Sequence, residues 1–174
     1  MHSILRRTLV AMAAAVAVST TSSTLSAQGA KVDPCSLVSL AEVKQATGNA
    51  SYTAGERGDV GDGVGGGDPC TFDGIGMDRA PTVSVISIAP NARGRYYDWL
   101  KRQTPRPGCT RNAVAGLGVD AFIEECAKYV DLPLYMRGKS YDVVVGIRAS
   151  KAGDFVASRP VVLALAKSVA PKIR

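Results

Sequence analysis

Four cysteines, a cluster of arginines and a single histidine are the residues here that could carry chemistry. The histidine is His2, inside a segment that reads as a cleavable leader. The mature chain therefore lacks the imidazole that Ser-His-Asp and Cys-His mechanisms need, and the commonest transition-metal ligand with it. Glu124 and Glu125 are adjacent, so on a strand their side chains face opposite ways and cannot flank one bond. Asp73 and Asp78 sit in glycine-containing stretches and read as turn formers. No S-x-x-K spacing supports serine–lysine chemistry. No catalytic constellation emerges, and neither a metal nor another cofactor is expected.

The leader sets the meaning of the cysteines. Arg6 and Arg7 precede an apolar run over residues 9–18, and a Ser/Thr-rich stretch leads to Leu25-Ser26-Ala27-Gln28. That is the pattern of a secretory signal peptide over residues 1–27, cleaved after Ala27. The apolar run is half of the roughly 20 residues that a membrane helix requires. Export points to a periplasmic or extracellular location, with no transmembrane segment in the mature chain. Cys35 follows Val32-Asp33-Pro34, not a small-residue lipid-attachment box, so no lipid anchor is expected. In an oxidising compartment, Cys35, Cys70, Cys109 and Cys126 should form two disulfides. Local loop closure favours Cys35–Cys70 and Cys109–Cys126. A four-thiolate metal site would need C-x-x-C pairs, which the sequence lacks.

The 21 basic and 15 acidic residues give a net charge of +6, and loss of Arg6 and Arg7 leaves +4. Much of that charge lies in one stretch: Arg93, Arg95, Lys101, Arg102, Arg106 and Arg111, against Asp98 alone. If Trp99 and Leu100 anchor a helix to the rest of the fold, these cations project outward together. They would form a site for an anionic envelope polymer or head group. Nucleic acid is not expected as a partner of an exported chain with no recognition motif.

The elements that must position these residues follow from hydrophobic period and punctuation. Residues 28–34 form a polar lead into a single domain over residues 35–174, a length suited to one core. Ser39 and Glu42 make a capping box, Val38 and Val43 a staple, and Gly48 a stop, which predicts a short helix between them. Residues 55–68 are rich in glycine, with Asp59, Asp62 and Asp68. The stretch reads as a loop tied down by Cys70, and calcium is the functional alternative. Strands are predicted at Cys70-Thr71-Phe72 and across residues 82–88, with Pro90 ending the second. Asn91 is the expected cap of a second helix over residues 92–103.

A third strand opens at Ala121-Phe122-Ile123. Leu132, Leu134 and Met136, then Tyr141, Val143, Val145 and Ile147, alternate with period two on either side of Arg137-Gly138-Lys139-Ser140, predicting a hairpin. Ser158-Arg159-Pro160 opens the last helix, whose stripe is Val161, Val162, Leu165, Ala166 and Val169, and Pro171 stops it. The sum is an α+β domain with a mainly antiparallel sheet packed by helices and stapled by disulfides.

Asp33-Pro34-Cys35-Ser36-Leu37, followed by the Ala41-Glu42-Val43 helix, resembles the opening of an uncharacterised bacterial secreted family. This domain of unknown function is common among actinobacterial envelope lipoproteins. Cys70-Thr71-Phe72, the stretch from Val114 to Phe122 and Leu163-Ala164-Leu165-Ala166-Lys167 are similar to its later segments. The resemblance implies a PsbP-like α/β fold with disulfides and supplies no site residues. The missing lipid box is a departure from it. The function expected is a non-catalytic binding or accessory role in the cell envelope. The alternatives are a histidine-free hydrolase and a structural envelope component.

Overall fold

A computed structural model describes residues 32–58, 66–74, 81–91, 93–148 and 155–174. The expected signal peptide over residues 1–27, Asp59 and Asp62 of the calcium alternative, and Asp78 lie outside these residues.

Seven strands form one fully antiparallel sheet: β1 (Glu56–Arg57), β2 (Asp68–Phe72), β3 (Thr82–Ile88), β4 (Cys109–Ala113), β5 (Asp120–Cys126), β6 (Asp131–Arg137) and β7 (Asp142–Arg148). Their order across the sheet is β1-β2-β3-β7-β6-β5-β4. The predicted hairpin is β6–β7, in register from Asp131 opposite Arg148 to Arg137 opposite Asp142. Tyr141 falls in its turn and does not open the strand. Both disulfides have the expected partners, Cys35–Cys70 and Cys109–Cys126. The fold is α+β, as the patterning predicts.

One face of the sheet carries the main core. Phe72, Val83, Val85, Ile123, Leu132, Leu134, Met136, Val143 and Val145 alternate inward there. They meet α1 (Leu40–Thr47) and α3 (Phe155–Val169), the latter through Val162, Leu165, Ala166 and Val169. The α1 boundaries follow the capping box. Ser39 Oγ accepts the Glu42 N–H at 3.3 Å, Glu42 Oε2 accepts the Ser39 N–H at 2.6 Å, and Gly48 closes the helix at φ 65°. The last helix starts at Phe155, not at Ser158, so Pro160 lies inside it and not in its first turn. A 3-10 turn, Ala170–Ile173, then takes Pro171 at its start and packs Ile173 into the core.

The second helix departs most from expectation. It is α2 (Tyr96–Arg102), seven residues long. Asn91 does not cap it. Its Oδ1 accepts the Arg93 N–H at 2.9 Å in a local turn, and Asn91 and Gly94 exchange backbone bonds. Gly94 has φ +100°, outside helical geometry, which separates Asn91 from the helix. Arg95 takes the cap position without a side-chain bond to the helix backbone, and the capping carboxylate comes from the sheet. Asp142 Oδ2 on β7 accepts the Tyr97 N–H at 2.9 Å.

The helix rests on the opposite face of the sheet from α1 and α3. There Tyr97 and Leu100 pack on Phe122, flanked by Tyr96 and Tyr135. Tyr97 and Leu100 are the anchors; Trp99 stays 47% exposed and does not serve as one.

Candidate functional site

The arginines do not form the outward field that the sequence suggests. Arg95 donates from Nε to Asp142 Oδ1 at 3.1 Å, and from its terminal nitrogens to the carbonyls of Lys139 and Gly138. Lys101 pairs with Asp120. Arg111 bonds Glu124 at 2.6 Å and the carbonyls of Leu100 and Gln103, both at 2.7 Å, neutralising the negative end of α2. Arg106 bonds Glu124 at 2.8 Å and lies over the ring of Tyr129. Of the six, Arg93 and Arg102 are exposed and have no such side-chain tie among the described residues. The basic stretch is a set of braces holding α2 to the sheet.

Folding shifts two of the carboxyls that receive these cations in opposite directions. The Lys101 ammonium holds the Asp120 carboxyl below its usual range. Asp142 goes the other way, because burial raises it despite the bonds from Tyr97 and Arg95. Glu124 and Glu125 face opposite sides of β5, as expected. Glu124 meets the two arginines, while Glu125 accepts from Asn112 and from Arg159 on α3.

A groove of about 380 Å³ lies on the α2 face, beyond that helix. Thr71, Ser84, Gly146 and Pro133 form one row of opposed residues across β2, β3, β7 and β6. Ile86, Val144 and Tyr135 form the next row, and Thr82, Arg148 and Asp131 close the far side. Gly146 keeps the floor low: a Cβ there would stand 3.1 Å from Ser84 Oγ. Apolar side chains and hydroxyls thus share one concave surface.

Pro133 shapes one wall. Proline has no N–H for a ladder bond, and the β5–β6 pairing ends at Ile123 opposite Leu134, one residue short of it. β6 continues against β7 alone, while β5 continues against β4 alone to Cys126 opposite Cys109. Where the two diverge, Arg106 reaches the groove, carrying with it the Glu124–Arg111 network. Arg106 and Arg148 line the groove against one lining carboxylate, Asp131, which Arg148 bonds at 2.9 Å. Glu124 behind Arg106 is shared with Arg111, so Arg106 leaves an excess of positive charge at its end. Burial raises the Tyr135 phenol, so it stays a neutral hydroxyl at physiological pH.

Of the binding residues expected from the sequence, Arg106 alone lines this groove. Thr71, Thr82, Ser84, Tyr135 and Gly146 carry no functional expectation there. The available signal was a glycine and a proline inside otherwise regular strands, which marks a close approach or a break in pairing. Cys109 and Cys126 sulfurs and a Glu124 oxygen lie within 4.8 Å of one another, but the sulfurs are joined to each other and offer no thiolate to a metal. Comparison with protein-family models, characterised proteins and solved structures finds no match.

Proposed function

We propose that this chain is an exported, non-catalytic binding or accessory domain of the cell envelope, and that its ligand seat is the sheet groove. The ligand class is a small amphipathic molecule with one anionic end. The observation that carries the reading is the groove itself. Its 380 Å³ falls within the range of roughly 300–1,000 Å³ typical of ligand sites, and its floor mixes Ile86, Val144 and Pro133 with the hydroxyls of Thr71, Thr82 and Ser84. The excess positive charge at the Arg106 end suits a carboxylate or phosphate. Two disulfides and the leader pattern support export. The resemblance of the Asp33–Leu37 opening to a secreted bacterial family points the same way.

Calorimetric titration of the mature chain with decanoate, decyl phosphate and decanol tests the ligand class. Both anions should bind more tightly than the alcohol, with the difference shrinking at high salt. The ratio between the two anions identifies which head group is preferred. Equal binding of all three would remove the role of the arginines, and no binding of any would remove the ligand class.

A further inference from the structure

The two disulfides sit in different electrostatic settings. Each joins a half-buried residue, Cys35 or Cys109, to a buried one, Cys70 or Cys126. A thiolate attacking the accessible sulfur must expel the buried one as an anion. At Cys35–Cys70 the leaving sulfur belongs to a fully buried residue of the main apolar core. Gly55 is packed so closely that a Cβ there would stand 2.4 Å from Cys70 Sγ. Cys35 Sγ lies 3.8 Å from the Gly55 carbonyl oxygen. Arg57 lies opposite Cys70 in the β1–β2 ladder, but its guanidinium is paired with Asp33 at 2.9 Å, and among the described residues no cation bonds either sulfur.

At Cys109–Cys126 the setting is reversed. Arg106 Nη2 donates to Cys126 Sγ at 3.4 Å. The guanidinium is held in place by its bond to Glu124 and by the Tyr129 ring, 4.5 Å from its central carbon. Glu124 is close enough to oppose a thiolate, but two guanidinium groups already share its charge. A cation beside a sulfur lowers its thiol pKa and makes it a better leaving group. Cys109 opens β4, the edge strand of the sheet, and is only half-buried, whereas its partner Cys126 is buried.

We infer that Cys109–Cys126 is a thiol–disulfide exchange site, with Cys109 as the sulfur attacked, Cys126 as the leaving thiolate and Arg106 as its positioning cation, while Cys35–Cys70 is a fixed staple. The partner is a thiol, either a small one or one arm of a dithiol. Its thiolate forms a bond to Cys109 Sγ as the Cys109–Cys126 bond breaks, and the bonding electron pair stays on Cys126. Re-attack by Cys126 expels the thiol and restores the bridge. With a dithiol, the second arm attacks the mixed disulfide and leaves as the oxidised partner, and Cys109 and Cys126 both end reduced.

The test incubates the folded mature chain with reduced glutathione, quenches in acid at intervals and maps the cysteine peptides by mass spectrometry. The expected result is a glutathione adduct on Cys109, with Cys109–Cys126 opening well ahead of Cys35–Cys70. Arg106→Gln should slow that opening several-fold at neutral pH, and Arg106→Lys should restore much of it by returning the charge. Equal opening of both bridges, an adduct on Cys126, or an unchanged rate in Arg106→Gln would overturn the assignment. So would faster opening in Arg106→Gln, because it would mean that the bridge opens through local unfolding of β4 and not by assisted exchange.

Discussion

Asp142 on β7 accepts the backbone N–H of Tyr97, 45 residues earlier, at 2.9 Å, so a strand carboxylate caps a helix that has no cap of its own. The same carboxylate receives Arg95. Helix placement on this face depends on a contact that no local pattern announces. Asp142→Ala leaves a buried N–H without its acceptor and the Arg95 guanidinium with only two backbone carbonyls, and should cost about 3 kcal/mol. Asp142→Asn keeps an acceptor for Tyr97 and should cost less. Urea denaturation followed by tryptophan fluorescence reports both, since Trp99 lies on α2; equal midpoints for Asp142→Ala and the parent would contradict the capping role.

The second prediction concerns Glu124, which is 2% exposed and bonded to both Arg106 and Arg111. Glu124→Gln leaves two guanidinium groups sharing one neutral acceptor. Breaking a buried ion pair on one side costs on the order of 3–5 kcal/mol, and the exposed fraction of Arg106 places this variant at the lower end. A loss below about 0.5 kcal/mol, the usual scale of a surface substitution, would mean that the network does not brace α2.

A third prediction follows from the capping box of α1. Burial alone would raise the Glu42 carboxyl, but the bonds from the Ser39 N–H and hydroxyl, with the Lys172 ammonium at 3.4 Å, outweigh it and lower the pKa. A carboxyl lowered by folding stabilises the fold above its unfolded pKa, about 4.3, and loses that contribution as pH falls through its folded value. Glu42→Gln should therefore lower the urea midpoint at pH 7 and lose its disadvantage near pH 3. Ser39→Ala should cost about 1 kcal/mol at pH 7. A Glu42→Gln penalty that is the same at both pH values would contradict this assignment.

The α+β class, the β6–β7 hairpin, the α1 box and both disulfide pairings were legible because each depends on residues close in sequence or on a simple period. Tyr141, Val143 and Val145 alternate cleanly, and Ser39 and Glu42 are three apart. Strand β4 was not read, since Thr110, Arg111 and Asn112 carry no apolar alternation; it pairs as an edge strand that faces solvent and α2. The helix expected from Asn91 failed because Gly94 and a distant carboxylate decide where α2 begins. The basic cluster was legible as composition but not as a surface, because the partners that turn it inward, Asp142, Asp120 and Glu124, come from β7 and β5. The groove could not be read in advance: its rows join residues from four strands, and only the register brings Thr71, Ser84, Gly146 and Pro133 together.

The most direct test of the groove as ligand seat uses Gly146, whose missing side chain keeps the floor open. The Cβ of Gly146→Leu requires Ser84 Oγ to yield by a few tenths of an ångström, the rest of the side chain is placed to fill the floor, and a strand interior gains from a side chain in place of glycine. The variant should retain the parent's circular dichroism spectrum and thermal midpoint or exceed the latter. In calorimetric titration it should lose decanoate binding by at least about tenfold, or 1.4 kcal/mol. A correctly folded Gly146→Leu that binds decanoate as tightly as the parent would contradict the groove as the binding site.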